Sequence, residues 1–366
     1  MTTVLVAIPC LKIGGTEIQT LRLVEALVRD GYRVVTVCYF EYTTHMVQRF
    51  QSAGSHVVCL SVYGTRPAGA KAQWRFLKDG LRRVVREYHP DIAHVQYMAP
   101  GAMPILILRR LGVKTILATS HTMSDIYKKL YLLHFIQRRT LRAFTCITQT
   151  AEKSYFDTSQ LYTEDTQLKR HNHFTIYNTL PPNYQITKRP SCNHPLTIGF
   201  VGRLTGIKGA DIVIPAFAQF KQTHPDAKLN IVGDGALKEQ MLQQQAELHL
   251  ENSIVWTGEQ HHERLPQIYQ QMDIVWIPSR SEGFGLTAIE AMANGCVVIA
   301  SHTGGLPEII NNDNLLFTPD DISDLLQKTN NCIPMLHALS EALTKRAEDF
   351  QFDSYQSLIT NLYHKL

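Results

Sequence analysis

Residues 279–290 read SRSEGFGLTAIE, and the apolar run just before them, DIVWIPS at 273–279, has the make-up of a buried strand. Glu282 follows that strand directly. Gly283, Phe284 and Gly285 form a flexible turn, and residues 286–294 carry a helical pattern that Gly295 stops. A helix start in that position presents unpaired N–H groups and a partial positive charge at Gly285 and Leu286, where backbone alone can hold a phosphate. Glu282 and Glu290 stand eight residues apart on either side of the turn. A carboxylate before such a helix can accept hydrogen bonds from sugar hydroxyls, and one a turn inside it can grip a ribose diol. Taken singly, Glu282 is only a charge that complements the helix dipole, and Glu290 only a satisfied carboxylate beside the core residues Ala288, Ile289 and Met292.

Outward from this segment, short Val- and Ile-rich runs alternate with amphipathic stretches along the whole chain, the rhythm of βαβ units. Expected strands in the first half lie at 4–8, 34–40, 57–60, 92–96, 115–120, 145–148 and 174–177; in the second half at 196–201, 229–232, 254–256, 274–277, 297–300 and 315–317. The runs are continuously apolar, as parallel strands covered on both faces must be. Between the two series, PPNYQITKRPSCNHP at 181–195 holds four prolines and no periodicity, and reads as a linker. The expectation is an α/β protein of two doubly wound, Rossmann-like parallel-sheet domains facing across a cleft. The first spans residues 1–182 and the second 195–349.

Bulk composition agrees with two folded domains: 366 residues, 44% hydrophobic and 19% charged, with no low-complexity tract. No run approaches the roughly 18 apolar residues of a membrane-spanning helix. The start, MTTVLVAIPC, lacks a basic region before its apolar stretch and reads as a strand. Seven scattered cysteines without a C-x-x-C pair fit a reducing cytoplasm and no structural zinc. The net charge of +4 hides a division. Residues 1–185 carry 23 Lys and Arg against 12 Asp and Glu, and the remainder carries 13 against 20. A basic first half seeks phosphates, on a membrane or on a polyanion.

The segment 278–310, PSRSEGFGLTAIEAMANGCVVIASHTGGLPEII, resembles the signature of glycosyltransferase family 4, in which two glutamates separated by seven residues border an E-G-F-G-L turn. The resemblance implies the GT-B fold, with Glu282 at the donor sugar, Glu290 at the ribose, and Gly283, Phe284, Gly285 and Leu286 at the phosphates. It also gives a meaning to IGFVGRLTGIKGADIVIPAF, where Arg203 and Lys208 correspond to the family's diphosphate-binding cations. Fixed positive charge on a leaving nucleotide diphosphate stabilises the transition state. In CLKIGGTE, Gly14 and Gly15 correspond to a glycine-rich loop that approaches the donor, and Glu17 to a position that is often acidic. His121, after the strand at 115–120, corresponds to a histidine near the reacting centre and joins Glu282 as a catalytic residue; Asn178 matches an asparagine before the family's linker. The closing segment, about 350–366, resembles the helix that in GT-B enzymes crosses back to the first domain, which implies that it joins that domain.

The expected activity is that of a metal-independent, retaining glycosyltransferase that needs no cofactor. It would move a hexosyl or related sugar from a nucleotide sugar, UDP-linked in preference to GDP-linked, to a saccharide acceptor. No D-x-D triplet and no zinc-ligand spacing occurs, and His261 and His262 read as loop residues. Dinucleotide-binding, Walker-type and nucleophile-elbow patterns are also missing, and nucleic acid is not an expected partner. Basic residues on the helix around Arg82, Arg83 and Arg86, with Lys128, Lys129, Arg138, Arg139 and Arg142 flanking the aromatic run YLLHF, suit an anionic membrane surface. The acceptor expected there is lipid-linked, in polysaccharide or glycolipid assembly, and the enzyme cytoplasmic and peripheral on the inner membrane face. The readings set against this one are a non-catalytic sugar-nucleotide or polyanion-binding protein on the same fold, and a phosphorylase or sugar-nucleotide epimerase.

Overall fold

The structure, a computed structural model, describes all residues except 97–101, 127–129, 169–171 and 189–194. The chain divides into two compact units, Met1–Pro182 with Phe352–Leu366, and Asn183–Gln351. The first begins β1 (Thr3–Ile8), α1 (Gly15–Arg29), β2 (Arg33–Cys38), α2 (Thr44–Ser52), β3 (His56–Cys59), α3 (Ala70–Tyr88) and β4 (Ile92–Gln96). It continues with α4 (Ala102–Arg110), β5 (Thr115–Ser120), α5 (Leu130–Thr140), β6 (Ala143–Cys146), α6 (Gln149–Phe156) and β7 (Asn172–Thr175).

The second unit begins β8 (Thr197–Val201), α7 (Ala210–Thr223), β9 (Lys228–Val232), α8 (Lys238–Glu247), β10 (Ile254–Gly258), α9 (Leu265–Tyr269) and β11 (Ile274–Ile277). It closes with α10 (Leu286–Ala293), β12 (Val297–Ser301), α11 (Leu306–Ile310), β13 (Leu316–Phe317), α12 (Ile322–Cys332) and α13 (Leu336–Ala347). A last helix, α14 (Phe352–His364), belongs to the first unit.

Both sheets are parallel, with strand orders β3-β2-β1-β4-β5-β6-β7 and β10-β9-β8-β11-β12-β13. Each order reverses once, between β1 and β4 and between β8 and β11, and loops that leave such neighbours diverge to open a crevice at the strands' carboxyl ends. Along β1, Leu5 and Ala7 enter a core shared with α3, α4, α5 and α6, while Val4, Val6 and Ile8 enter one shared with α1, α2 and α14. Helices on both faces explain the continuous apolar runs.

Several local readings change: β2 ends at Cys38 where residue 40 was expected, and β10 runs on to Gly258 where 256 was expected. β6 ends at Cys146, two residues earlier than expected, because the Thr148 side chain caps α6 by accepting from the Ala151 N–H at 3.1 Å. β7 likewise ends at Thr175, and the chain beyond it is gripped by Gln19, which donates to the Thr179 carbonyl at 2.8 Å and accepts from the Thr179 N–H at 3.0 Å. Gly15 is the first residue of α1, with Gly14 as its N-cap. Part of the expected linker, 189–194, lies outside the described residues, as do Lys128 and Lys129.

A polar contact within an apolar layer keys the C-terminal helix to the first sheet. The Tyr363 hydroxyl meets His94 Nδ1 at 2.8 Å, and His94 Nε2 meets the Thr119 hydroxyl at 2.7 Å. Tyr363→Phe is expected to leave a buried ring nitrogen unpaired and to cost about 1–3 kcal/mol, read from the urea midpoint at constant slope.

Candidate functional site

In the second unit the loops that leave β8 and β11 carry most of the residues singled out there by the sequence. The loop after β8 carries Arg203, with its side chain exposed, and a single 3-10 turn, Gly206–Lys208. The loop after β11 carries Glu282, Gly283 and Phe284, and α10 begins behind Gly285, whose φ of 104° only glycine adopts without strain. Lys208 Nζ donates to Glu282 Oε2 at 2.6 Å, and the Ser279 hydroxyl approaches the same oxygen at 3.4 Å. Phe284 is buried edge-on against Phe350, ring centres 5.7 Å apart, which anchors the turn from below. The N–H groups of Ala288 and Ile289 both turn back to the Gly285 carbonyl. The amides ahead of them in the first turn therefore lie at the positive end of the helix, beside Leu286.

Glu290 is buried on α10, where the Tyr269 hydroxyl donates to its Oε2 at 3.2 Å and His262 Nδ1 faces its Oε1 at 3.5 Å. His262 is therefore more than the loop residue its sequence position indicated: it opens a 3-10 turn, His262–Arg264, that turns the ring towards this carboxylate. Tyr269 was not legible as a site residue, since a tyrosine ending a short amphipathic helix looks like core.

Arg280 was also missed. Its guanidinium makes a two-pronged pair with Asp211 at 2.8 and 2.7 Å, meets Asp320 at 2.8 Å, and donates to the Gly206 carbonyl. Its backbone N–H bonds the Ile207 carbonyl at 2.9 Å. One side chain thus ties the turn that carries Lys208 to the loop that carries Glu282. The hydrogen bonds that Arg280 donates hold Asp211 below the ordinary carboxylate range, and the bonds it gives to Asp211 and then to Asp320 raise Arg280 in turn.

In the first unit, Gly14 lies against the Glu17 carboxylate: a methyl there would come within 2.5 Å of Oε2. Glu17 is buried and accepts from the Cys10 thiol at 3.0 Å, and burial followed by that bond pushes the thiol up to about 12. His121 is buried at the end of β5, with Nε2 and Gln96 Oε1 2.8 Å apart. His94, Gln96, His121, Asn178 and Gln19 border one cavity of about 20 Å³. Burial lowers both histidines to about 3. At neutral pH His121 is therefore an uncharged imidazole, able to offer a hydrogen bond but not a positive charge. Among the described residues no group of three His, Cys, Asp or Glu side chains comes together as a metal site.

Two family models match the chain: "Glycosyl transferase 4-like domain" over residues 14–155 and "Glycosyl transferases group 1" over 185–348. D-inositol 3-phosphate glycosyltransferase of Corynebacterium aurimucosum is 31% identical over 181 residues, 46% of this chain and 43% of that protein. The matches span less than half the length of such curated relatives. The Anabaena protein HepE, solved with UDP and glucose, superposes with a TM-score of 0.78 at 20% identity, covering 100% of both chains. Sucrose-phosphate synthase of Thermosynechococcus elongatus superposes with a TM-score of 0.77 at 19% identity, covering 100% of this chain and 99% of that one. At these identities the two structures establish the fold, GT-B.

Two outcomes are expected. From about pH 6.5 down to about 3 the unfolded chain takes up protons at His94 and His121 while the folded chain does not. Stability therefore falls as pH falls through that window, by up to about 1.4 kcal/mol per pH unit for each histidine. Urea midpoints across this range should be less steep in pH for His94→Gln than for wild type. Arg280→Ala should free the Lys208 turn and cost about 1 kcal/mol of stability, read from the urea midpoint. An unchanged midpoint would show that the pair with Glu282 holds Lys208 in place without Arg280.

Proposed function

We propose that this chain, which belongs to glycosyltransferase family 4, moves a hexosyl group from a UDP-sugar to a hydroxyl of a saccharide acceptor, with retention at the anomeric carbon and without a metal ion. The observation that carries the reading is the Lys208–Glu282 pair at 2.6 Å, set at the switch point of the second sheet beside the start of α10. Before donor arrives, the two side chains neutralise each other. A nucleotide sugar offers each a better partner: diphosphate oxygens for Lys208 and sugar hydroxyls for Glu282. Arg203 and the first-turn amides of α10 complete the phosphate clamp with Gly285 and Leu286, and charge on the departing UDP is stabilised where it develops. Glu290, oriented by Tyr269, takes the ribose diol. Gly14 and Gly15 bring backbone close to the transferred sugar, and neutral His121 supplies a hydrogen bond at the reacting centre.

UDP in preference to GDP is supported by the HepE structure, which was solved with UDP. The acceptor we favour is lipid-linked, in polysaccharide or glycolipid assembly on the cytoplasmic face of a membrane. The support for it is the excess of Lys and Arg in residues 1–185. The attachment we favour is peripheral, and among the described residues no helix is long and apolar enough to cross a membrane.

The test is a thermal-shift and hydrolysis screen across nucleotide sugars, since a bound donor raises the unfolding temperature by mass action. Lys208→Ala and Glu282→Ala should each lower turnover by about 100-fold or more, roughly 2.7 kcal/mol of transition-state stabilisation or above, with unchanged thermal unfolding. Near-normal rates would remove these residues from the mechanism. Donor binding without turnover would favour the non-catalytic reading, and a new nucleotide sugar formed without acceptor would reveal an epimerase.

A further inference from the structure

We propose that the outer surface of the α3–α4–α5 layer docks on a bilayer rich in anionic phospholipid. This deepens the proposed membrane attachment by naming its surface, and it rests on the first unit alone.

The excess positive charge of the first half is not spread evenly over the two helical layers of its sheet. On the side of α3, α4, α5 and α6 the helices carry eleven Lys and Arg against three Asp and Glu. On the side of α1, α2 and α14 the numbers are three against three. Within α3, Lys71, Arg75, Lys78, Arg82 and Arg86 recur every three or four residues and form one stripe. The buried residues Leu77, Leu81, Val84 and Tyr88 form the opposite one. Arg109 and Arg110 at the end of α4 are exposed, and Arg110 lies over the Trp74 ring of α3 at 5.2 Å.

α5 adds what a site for a soluble polyanion would not need. Its exposed residues are 131, 132, 135, 138 and 139, the spacing of one helical face, while Leu133, Ile136 and Gln137 are buried. The first turns of that face are apolar, with Tyr131 70%, Leu132 47% and Phe135 59% exposed. The last turn is Arg138 and Arg139, and Arg139 lies over the Phe135 ring at 5.7 Å. Aromatic and aliphatic side chains followed by arginines on one solvent face are the pattern of a helix lying in the headgroup region. There the rings enter the acyl boundary and the guanidinium groups meet lipid phosphates. A purely electrostatic partner gives no reason to leave three large apolar side chains in water.

The experiment is flotation of the whole chain with vesicles of equimolar phosphatidylglycerol and phosphatidylcholine, against phosphatidylcholine alone. It is run at about 0.1 M and about 1 M salt, between which the screening length falls from about 10 to about 3 Å. Wild type should float with the anionic vesicles at least about tenfold better than with the neutral ones, and lose most of that advantage at high salt. The variant Tyr131→Ser/Leu132→Ser/Phe135→Ser and the variant Arg75→Glu/Lys78→Glu change exposed side chains only. Each should lose flotation about tenfold or more while keeping wild-type thermal unfolding and nucleotide-sugar hydrolysis. The proposal falls if wild type does not float. It also falls if the serine variant floats like wild type while the glutamate variant does not, which would mark a polyanion surface without membrane insertion. Hydrolysis of donor, read in the same samples, reports separately on the transferase reading.

Discussion

Backbone crowding at the carboxyl ends of β8 and β11 governs the second unit. A methyl on Gly209 would run into the Pro278 carbonyl, and one on Gly304 into the Glu282 carbonyl. Both glycines also have positive φ, 66° and 55°. Three loops are stacked so closely that no side chain fits between them, and the Gly305 N–H closes the stack by donating to Glu282 O at 3.1 Å. Lys208 stands one residue before the first of these glycines, so the position of its charge is set by the stacking. The same closeness leaves Glu282 as a neighbour that a longer loop would have swung away.

Charge is then sorted among the cations by geometry. Arg280 has a planar fork, and two carboxylates and a carbonyl fill it. It is spent on structure and has little left for a ligand. Lys208 is a compact charge with one carboxylate partner at 2.6 Å, and Arg203 extends an exposed side chain. The cation with the most partners is therefore the one that shapes the loop, and Lys208 and Arg203 are the less committed of these three.

Most of this architecture could be read in the sequence because its causes are local or periodic. Continuous Val and Ile runs announced buried parallel strands, and the E-G-F-G-L turn announced a strand, a tight turn and a helix start. The features that stayed hidden depend on chain segments far apart. Arg280 is an arginine between two serines until Asp211 and Asp320 are brought to it. Tyr269 and His262 acquire meaning only where α9 and the turn before it reach Glu290, more than twenty residues further along the chain. His94 showed no signal at all, since a histidine inside IAHVQ is indistinguishable from a polar break in a strand. Its partner Tyr363 lies 269 residues away. The strand ends at Cys146 and Thr175 slipped for a different reason: the competing interactions, a helix cap and the grip of Gln19, use side chains that apolar periodicity does not register.

The charge division of the chain bears on how a diphosphate would be held. Residues 186–366 carry more acidic than basic side chains, so the long-range field of that half disfavours an approaching anion. At physiological salt such a field decays over about 8 Å, whereas a contact at hydrogen-bonding distance is barely screened. Attraction must then come from the few groups that touch: Lys208, Arg203 and the helix-start amides. A site built this way selects by fit and not by steering. An anion with the diphosphate spacing gains every contact at once, while one that reaches only a single cation must first break the pair with Glu282 and meets the acidic surroundings without compensation.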